Sequence, residues 1–413
     1  MEFINVKLSD IGEVVGGATP STKNPDNYDG NIAWITPKDL AGYNKVYISK
    51  GERNITEMGF KSCSTKILPK NSVLFSSRAP IGYVAISEND LCTNQGFKSI
   101  IPNNKIDYKF LYYLLKHNKN YIASKGSGST FKEVSGSVMK GIELSIPKNI
   151  HDQKKISKIL FDIDKKIELN NEINNNLFEL MKKMYVEWFK HFNIPNTSFE
   201  FKDSELGQIP IDWNIKHLKD VFFFQEGPGI RNWQYVDEDG TKFINIRCIK
   251  DRDLELDTAN MISNEEAQGK YKHFMLNEWD VVVSTSGTLG RSQIIRKEHL
   301  PLCLNTSVIR FKPINGFDEY AFMYNYLISD EFLNLLDVMA TGSAQRNFGP
   351  MHLKKIDLVY PSKDIINKFN NLIFPIIENI QNNKAENMKL SQLRDTLLPK
   401  LMNGEIDLDN IKI

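Results

Sequence analysis

The chain has 413 residues, with 52 Lys+Arg against 51 Asp+Glu for a formal net charge of +1, 41% hydrophobic and 25% charged residues. That length predicts two to three domains, each able to bury its own core, with the composition of a soluble globular protein. No run of 18 apolar residues suits a membrane span, and Met1-Glu-Phe-Ile-Asn-Val-Lys7 lacks the basic and apolar regions of a secretory signal, so a cytoplasmic protein is expected.

In chain order, residues 31–36, 72–76 and 82–86 are β-branched and aromatic runs broken by Gly, Pro, Asn and Asp, and read as strands of a twisted mixed sheet. A short helix is predicted over 108–118, then a Gly/Ser loop over 126–132 and a strand ending at Pro147. From His151 to about Lys190 there is no Gly or Pro. Heptad a positions fall at 156, 163, 170, 177 and 184, and d positions at Ile159, Ile173 and Leu180, with Lys166 in the remaining d place beside Ile167. This predicts a coiled-coil helix of about 60 Å. Gly207-Gln-Ile-Pro210 and Asp212-Trp213 punctuate a second domain with strands over 243–246, 281–284 and 307–311, a helix over 319–329, a loop over 342–347 and a strand ending at Pro361. A second long helix carries Ile366, Phe369, Ile373, Ile376, Ile380, Leu390, Leu397 and Leu401, interrupted by Asn383, Asn387 and Arg394 and kinked at Pro375.

The two halves repeat each other. Leu68-Pro-Lys-Asn-Ser-Val-Leu-Phe-Ser-Ser77 returns as Leu276-Asn-Glu-Trp-Asp-Val-Val-Val-Ser-Thr285 at an offset of 208, and Leu91-Cys-Thr-Asn94 as Leu302-Cys-Leu-Asn305 at 211. Lys140-Gly-Ile-Glu-Leu144 with Pro147 returns as Lys354-Lys-Ile-Asp-Leu358 with Pro361 at 214. A unit of roughly 200 residues is therefore duplicated, far beyond the period of a solenoid. The expected fold is α+β: two tandem α/β domains, 1–150 and 193–361, separated by long helices over 151–192 and 362–413 that pair as an antiparallel coiled coil with pseudo-twofold character. The asparagines at 170, 383 and 387 are expected to fix register.

Charge is unevenly shared. Residues 1–150 hold 19 Lys+Arg against 13 Asp+Glu, a net of +6, and residues 206–361 hold 17 against 21, a net of −4. Only the first half has the basic balance of a nucleic-acid binder. None of the four cysteines has CxxC spacing, and the repeat-equivalent Cys92 and Cys303 read as small buried apolar residues. Catalytic patterns are missing: no GxxxxGK[ST] phosphate loop, GxSxG or HExxH occurs, nor the Asn/Asp-Pro-Pro-aromatic or FxGxG motifs of an amino-methyltransferase, and no histidine has a repeat-equivalent partner. The chain reads as a non-catalytic recognition protein.

The candidates for recognition are polar loops at matching places. Thr36 and Lys38 match Arg247; Ser76, Ser77 and Arg78 match Ser284, Thr285 and Ser286, with Arg291 beyond; Asn94 and Gln95 match the pair beginning at Asn305. Lys125, Thr130 and Lys132 match the loop of Gln345, Arg346 and Asn347, and Arg231 stands ahead of the second set. Arg, Asn, Gln and Ser/Thr are the side chains that address base edges, and small residues let backbone amides approach phosphates. Gly, Ser and Asn are also ordinary turn formers, which is the competing reading of any one loop.

Four stretches resemble the specificity subunits of Type I restriction–modification systems. They are Val6-Lys-Leu-Ser-Asp-Ile11 with Ile209-Pro-Ile-Asp-Trp213, the helix from His151-Asp-Gln-Lys-Lys-Ile156 to Tyr185-Val-Glu-Trp-Phe189, and the closing Leu393-Arg-Asp-Thr-Leu-Leu-Pro-Lys-Leu-Met-Asn-Gly-Glu-Ile406. The resemblance implies that each domain reads one half of a gapped, asymmetric site in double-stranded DNA, with the helices as a ruler. It also implies two methyltransferase subunits and two restriction subunits as partners, which supply S-adenosylmethionine and ATP with Mg; this chain needs no cofactor, and the target is adenine N6. The net −4 of the second domain departs from expectation, and the partners are expected to supply charge compensation. The alternatives are the DNA-recognition chain of a Type IIB-like enzyme, a coiled-coil scaffold with no DNA contact, and a self-sufficient nuclease.

Overall fold

A computed structural model describes residues 1–128, 132–340, 346–406 and 408. The chain divides into two compact units, residues 1–170 with 387–413 and residues 171–386. Two 40-residue helices, α1 (Ile150–Phe189) and α2 (Lys363–Met402), are each shared between the units.

In the first unit, strand Phe3–Lys7 pairs antiparallel with Glu143–Pro147. A five-stranded sheet runs in the order Gly12–Gly16, Lys98–Pro102, Val73–Ser77, Ile81–Ser87, Tyr47–Ile48, antiparallel except for its last pair. Tyr28–Ile35 lies between Asn54–Ile55 and Cys92–Thr93 in a smaller sheet. Helix Tyr108–His117 begins where the Asp107 carboxylate accepts from Phe110 N at 2.9 Å, and it buries Phe110, Leu111, Leu114 and Leu115. Those residues join Leu8, Phe75, Ile156 and Leu160 in one core, which Leu401, Met402 and Leu408 complete from the far end of the chain.

The second unit repeats this order. Asn214–His217 pairs with Asp357–Tyr360; a four-stranded sheet runs Phe222–Glu226, Val308–Pro313, Val281–Ser284, Ser292–Ile294; a second sheet runs Tyr235–Val236, Asn260–Ser263, Gly240–Ile244, Leu302–Leu304. Helix Tyr320–Leu327 stands in place of Tyr108–His117 and is buried along its whole length. The fold is thus α+β with a duplicated mixed-sheet domain, and Cys92 and Cys303 occupy matching buried strand positions. Burial pushes both thiols up to about 11, so they stay protonated and pack as small apolar groups.

Within each unit α1 and α2 pack antiparallel. In the first, Asn170 Nδ2 donates to Asn387 Oδ1 at 2.9 Å and Arg394 Nη1 to Asp164 Oδ1 at 2.7 Å. In the second, Asn383 Nδ2 donates to Asn174 Oδ1 at 2.8 Å, beside Ile380. The expected polar interruptions therefore face polar groups across the seam. The strict heptad fails at two places: Ile173 and Leu180, expected at d positions, are 38% and 46% exposed. The buried line runs through Asn174, Met181, Tyr185 and Trp188 instead. Asn174, Met181 and Trp188 keep the seven-residue spacing, one residue on from the expected d positions, and this face turns Tyr185 and Phe189 onto Phe322 and Phe369, ring centroids 4.8–6.3 Å apart. Burying such rings outweighs burying one more Ile or Leu. Pro375 lies within the unbroken helix α2, exposed, between the fully buried Ile373 and Ile377.

Candidate nucleic-acid interface

The strands Val73–Ser77 and Val281–Ser284 each carry, at or one residue before their end, a serine whose hydroxyl closes the loop that follows. Ser76 Oγ donates to Pro80 O at 2.8 Å and accepts from Tyr83 N at 2.8 Å. Ser284 Oγ donates to Thr288 O at 2.5 Å and accepts from Arg291 N at 3.0 Å. The spacing of both bonds is identical in the two units. Ser77 and Thr285 are buried as well: Ser77 N donates to Gly96 O at 2.8 Å, and Thr285 N to Ser307 O at 3.1 Å. These four side chains shape loops from within, so the exposed loop surface belongs to their neighbours.

Those neighbours are assembled alike. Arg78 pairs with Glu133 in an isolated antiparallel bridge, and Ser286 with Asn347 in the matching one. The hydrogen bonds Val134 N to Ser77 O, 3.0 Å, and Phe348 N to Thr285 O, 3.2 Å, tie the residues after the Gly/Ser segment to the end of the serine strand in each unit. Asn94 Oδ1 accepts from Gly96 N at 2.9 Å and Asn305 Oδ1 from Ser307 N at 2.9 Å, so both asparagines turn the chain after the shared Leu-Cys. Gln95 accepts from Thr19 Oγ1. Gly17 and Gly227 lie flat against these segments: a Cβ would fall 2.1 Å from Thr93 O in one and 2.5 Å from Leu304 O in the other.

The remaining candidates differ between the units in chemistry and in freedom. Thr36 is tied to Asp39 through its hydroxyl at 2.6 Å and caps the 3-10 turn Pro37–Leu40, while Lys38 is exposed and paired with Glu52 at 2.7 Å. Arg78 lies 3.5 Å from Glu133, which Lys98 also meets at 3.3 Å. Lys125 lies over the Tyr121 ring, and Lys132 is exposed. Arg346 is held by Asp337 at 2.8 Å, and Arg231 and Asn347 are exposed. Thr130 and Gln345 lie outside the described residues.

In the second unit Arg247, Ser284, Ser286, Thr288 and Arg291 come together with Lys250 around a groove of about 190 Å³. Arg247 is exposed on the 3-10 turn Ile246–Cys248, and Arg291 is fixed by Asp251 at 2.7 Å and Ile249 O at 3.2 Å. Three cations against two nearby carboxylates, Asp251 at 2.7 Å from Arg291 and Glu255 at 3.9 Å from Lys250, leave this groove attractive to an anion although its half of the chain is acidic overall. Lys250 was not among the sequence candidates; its place just after the turn matched to Thr36–Lys38 was the available signal. Among the described residues no group of three or more His, Cys, Asp or Glu could hold a metal ion. No described helix is long and apolar enough to cross a membrane.

Residues 2–179 and 210–394 match the family described as Type I restriction modification DNA specificity domain, once in each half. The chain belongs to that family. It is similar along its whole length to the Type I restriction enzyme MjaIX specificity subunit of Methanocaldococcus jannaschii, with 34% identity over 98% of this chain and 94% of the relative. The HindI specificity subunit of Haemophilus influenzae is 25% identical over 91% and 94%. The solved Type I restriction–modification S subunit from M. genitalium shares the fold at a TM-score of 0.61, 16% identity, covering 97% of this chain and 96% of that one. The chain is therefore a Type I DNA specificity subunit, the non-catalytic part of such a complex.

Proposed function

We propose that each unit reads one half of a gapped, asymmetric site in double-stranded DNA, with domains over 1–150 and 193–361 and the antiparallel helices setting the gap. The observation that carries this reading is the pair of matched loop frameworks. Ser76 and Ser284 latch the same loop by the same bonds, and Asn94 and Asn305 make the same turn. On that shared frame the side chains differ: exposed Lys38 against exposed Arg247, half-buried Arg78 against half-buried Ser286, and exposed Lys132 against exposed Arg346. A constant frame with different donors and acceptors suits two readers of two different base sequences through the major groove. The groove of Arg247, Lys250 and Arg291 suits phosphate or guanine, for which arginine is the commonest partner.

The chain would act in the cytoplasm with two methyltransferase and two restriction subunits. Those partners would carry S-adenosylmethionine and ATP with Mg, and the methylated atom would be adenine N6. The test is long-read mapping of N6-methyladenine in host DNA with the gene intact and deleted. Loss of methylation at one bipartite, gapped motif is expected; unchanged methylation at every motif would overturn the reading.

A further inference from the structure

We propose that Glu168 on α1 and Lys384 on α2 are positioning residues for DNA reading: each fixes, within its own unit, the loop that follows the 3-10 turn of Lys38 or Arg247. The inference rests on the DNA-reading assignment above and adds to it that the long helices determine how bases are read as well as how far apart.

In the first unit the turn Pro37–Leu40 runs through residues 41–46 into strand Tyr47–Ile48. Glu168 is 7% exposed, and its Oε1 accepts from Val46 N at 2.6 Å, while Val46 O accepts from Ile86 N at 2.8 Å. The loop is thus held at Val46 between the helix and the sheet. A carboxylate is retained at such a depth only when hydrogen-bonded, so this bond fixes the end of the loop firmly.

In the second unit the turn Ile246–Cys248 leads into a tight loop closed by Lys250 N to Asp253 O at 3.1 Å and Glu255 N to Cys248 O at 2.9 Å. Lys384 Nζ donates to Gln293 Oε1 at 2.9 Å, and Gln293 Nε2 donates to Lys250 O at 2.7 Å and Asp251 O at 3.3 Å. Asp251 in turn holds Arg291 in the cationic groove. A second strut runs beside it: Arg296 grips both Asp253 oxygens at 2.8 and 2.7 Å and reaches Gln381 Oε1 on α2 at 3.5 Å.

The two units solve one mechanical problem with opposite charges, a glutamate onto a backbone amide and a lysine through a glutamine relay. Coupling of helix to reading loop therefore recurs although the residues do not.

The experiment is selection of binding sites from a randomised duplex pool by the full-length chain together with its partner subunits. Glu168→Ala should lower discrimination about tenfold at the base pairs of one half-site only, and Lys384→Met at those of the other half only. Glu168→Gln keeps an acceptor facing Val46 N and should retain wild-type preference. If the alanine variant does not fold, Glu168→Asp withdraws the acceptor by one methylene while keeping the charge, and if the methionine variant does not fold, Lys384→Gln shortens the donor's reach by one atom and removes the charge; both are read by the same criterion. Unchanged base preference, or equal weakening of both halves, would overturn the proposal while leaving the DNA-reading assignment intact. Failure of the wild-type chain to select any bipartite site would overturn that assignment and this inference with it.

Discussion

Asp164 on α1 joins two elements of the first unit at once: its Oδ1 accepts from Arg394 Nη1 on α2 at 2.7 Å and its Oδ2 from the Tyr113 hydroxyl at 2.7 Å. The Asp164 side chain is 8% exposed and that of Arg394 19%, so the pair lies in the protein interior. Removing Arg394 leaves the Asp164 charge uncompensated and costs about 3–5 kcal/mol, whereas removing Asp164 costs less, because Arg394 keeps Asp395 at 2.8 Å. Asp164→Ala or Arg394→Met should lower the urea midpoint of the first unit accordingly. The double substitution Asp164→Leu with Arg394→Met should recover part of the loss, because it removes both desolvated charges, and adding Tyr113→Phe should recover more by removing the hydroxyl left without an acceptor. A single substitution without effect on the midpoint would show the pair to be solvated.

His299 makes the second unit acid-sensitive. Burial first, and then repulsion from Arg296, lower its pKa from 6.5 to about 4. As pH falls below the unfolded value the unfolded chain takes up the proton first, so stability is full above about 6.5 and is lost down to about 4. The loss amounts to about 3 kcal/mol over that window. Urea midpoints between pH 7 and 4 should fall in the wild type, and His299→Gln should flatten the fall.

Arg247 faces the groove from an exposed turn, and Arg247→Ala should weaken DNA binding or relax one half-site by about 1–3 kcal/mol. Arg78 and Arg346 already hold Glu133 and Asp337, so they must exchange a carboxylate for DNA and should give smaller changes. Base preference is measured by competition among single-base variants of the site. Equal losses for all three arginines would contradict this ordering.

Inserting seven residues into each long helix, after Asn176 in α1 and after Glu378 in α2, lengthens the pair by about 10 Å, or about three base pairs of duplex. The methylated motif should keep both half-sites and widen its gap. A fixed gap would refute the spacer role of the helices.

The duplication, the two long helices and the buried cysteines were legible because each depends on local pattern: a repeated string, a stretch free of Gly and Pro, a small residue in a strand. What sequence misread was direction. Ile173 and Leu180 are apolar and at heptad spacing, yet the aromatic core around Phe322 and Phe369 decides which face of α1 is buried. Ser76 and Ser284 have the composition of base readers, but their hydroxyls are satisfied by backbone four and seven residues on, which no single-residue property reveals. Lys250, Gln293 and Lys384 are far apart in the chain, and only folding makes them one chain of contacts.

The first unit takes its closing residues, 387–402 of α2 with Leu408 beyond, from the end of the chain, whereas the second is one uninterrupted stretch. During translation the unit that begins first is therefore completed last. After Asn170 emerges, the 216 residues of the second unit and a further 15 of α2 must follow before the core around Leu8, Phe110 and Ile156 receives Leu401. At cellular elongation rates that wait lasts roughly 10–40 s. Nascent chains should bury the second unit's core while the first still exposes apolar surface, making the amino-terminal half the natural client of ribosome-associated chaperones.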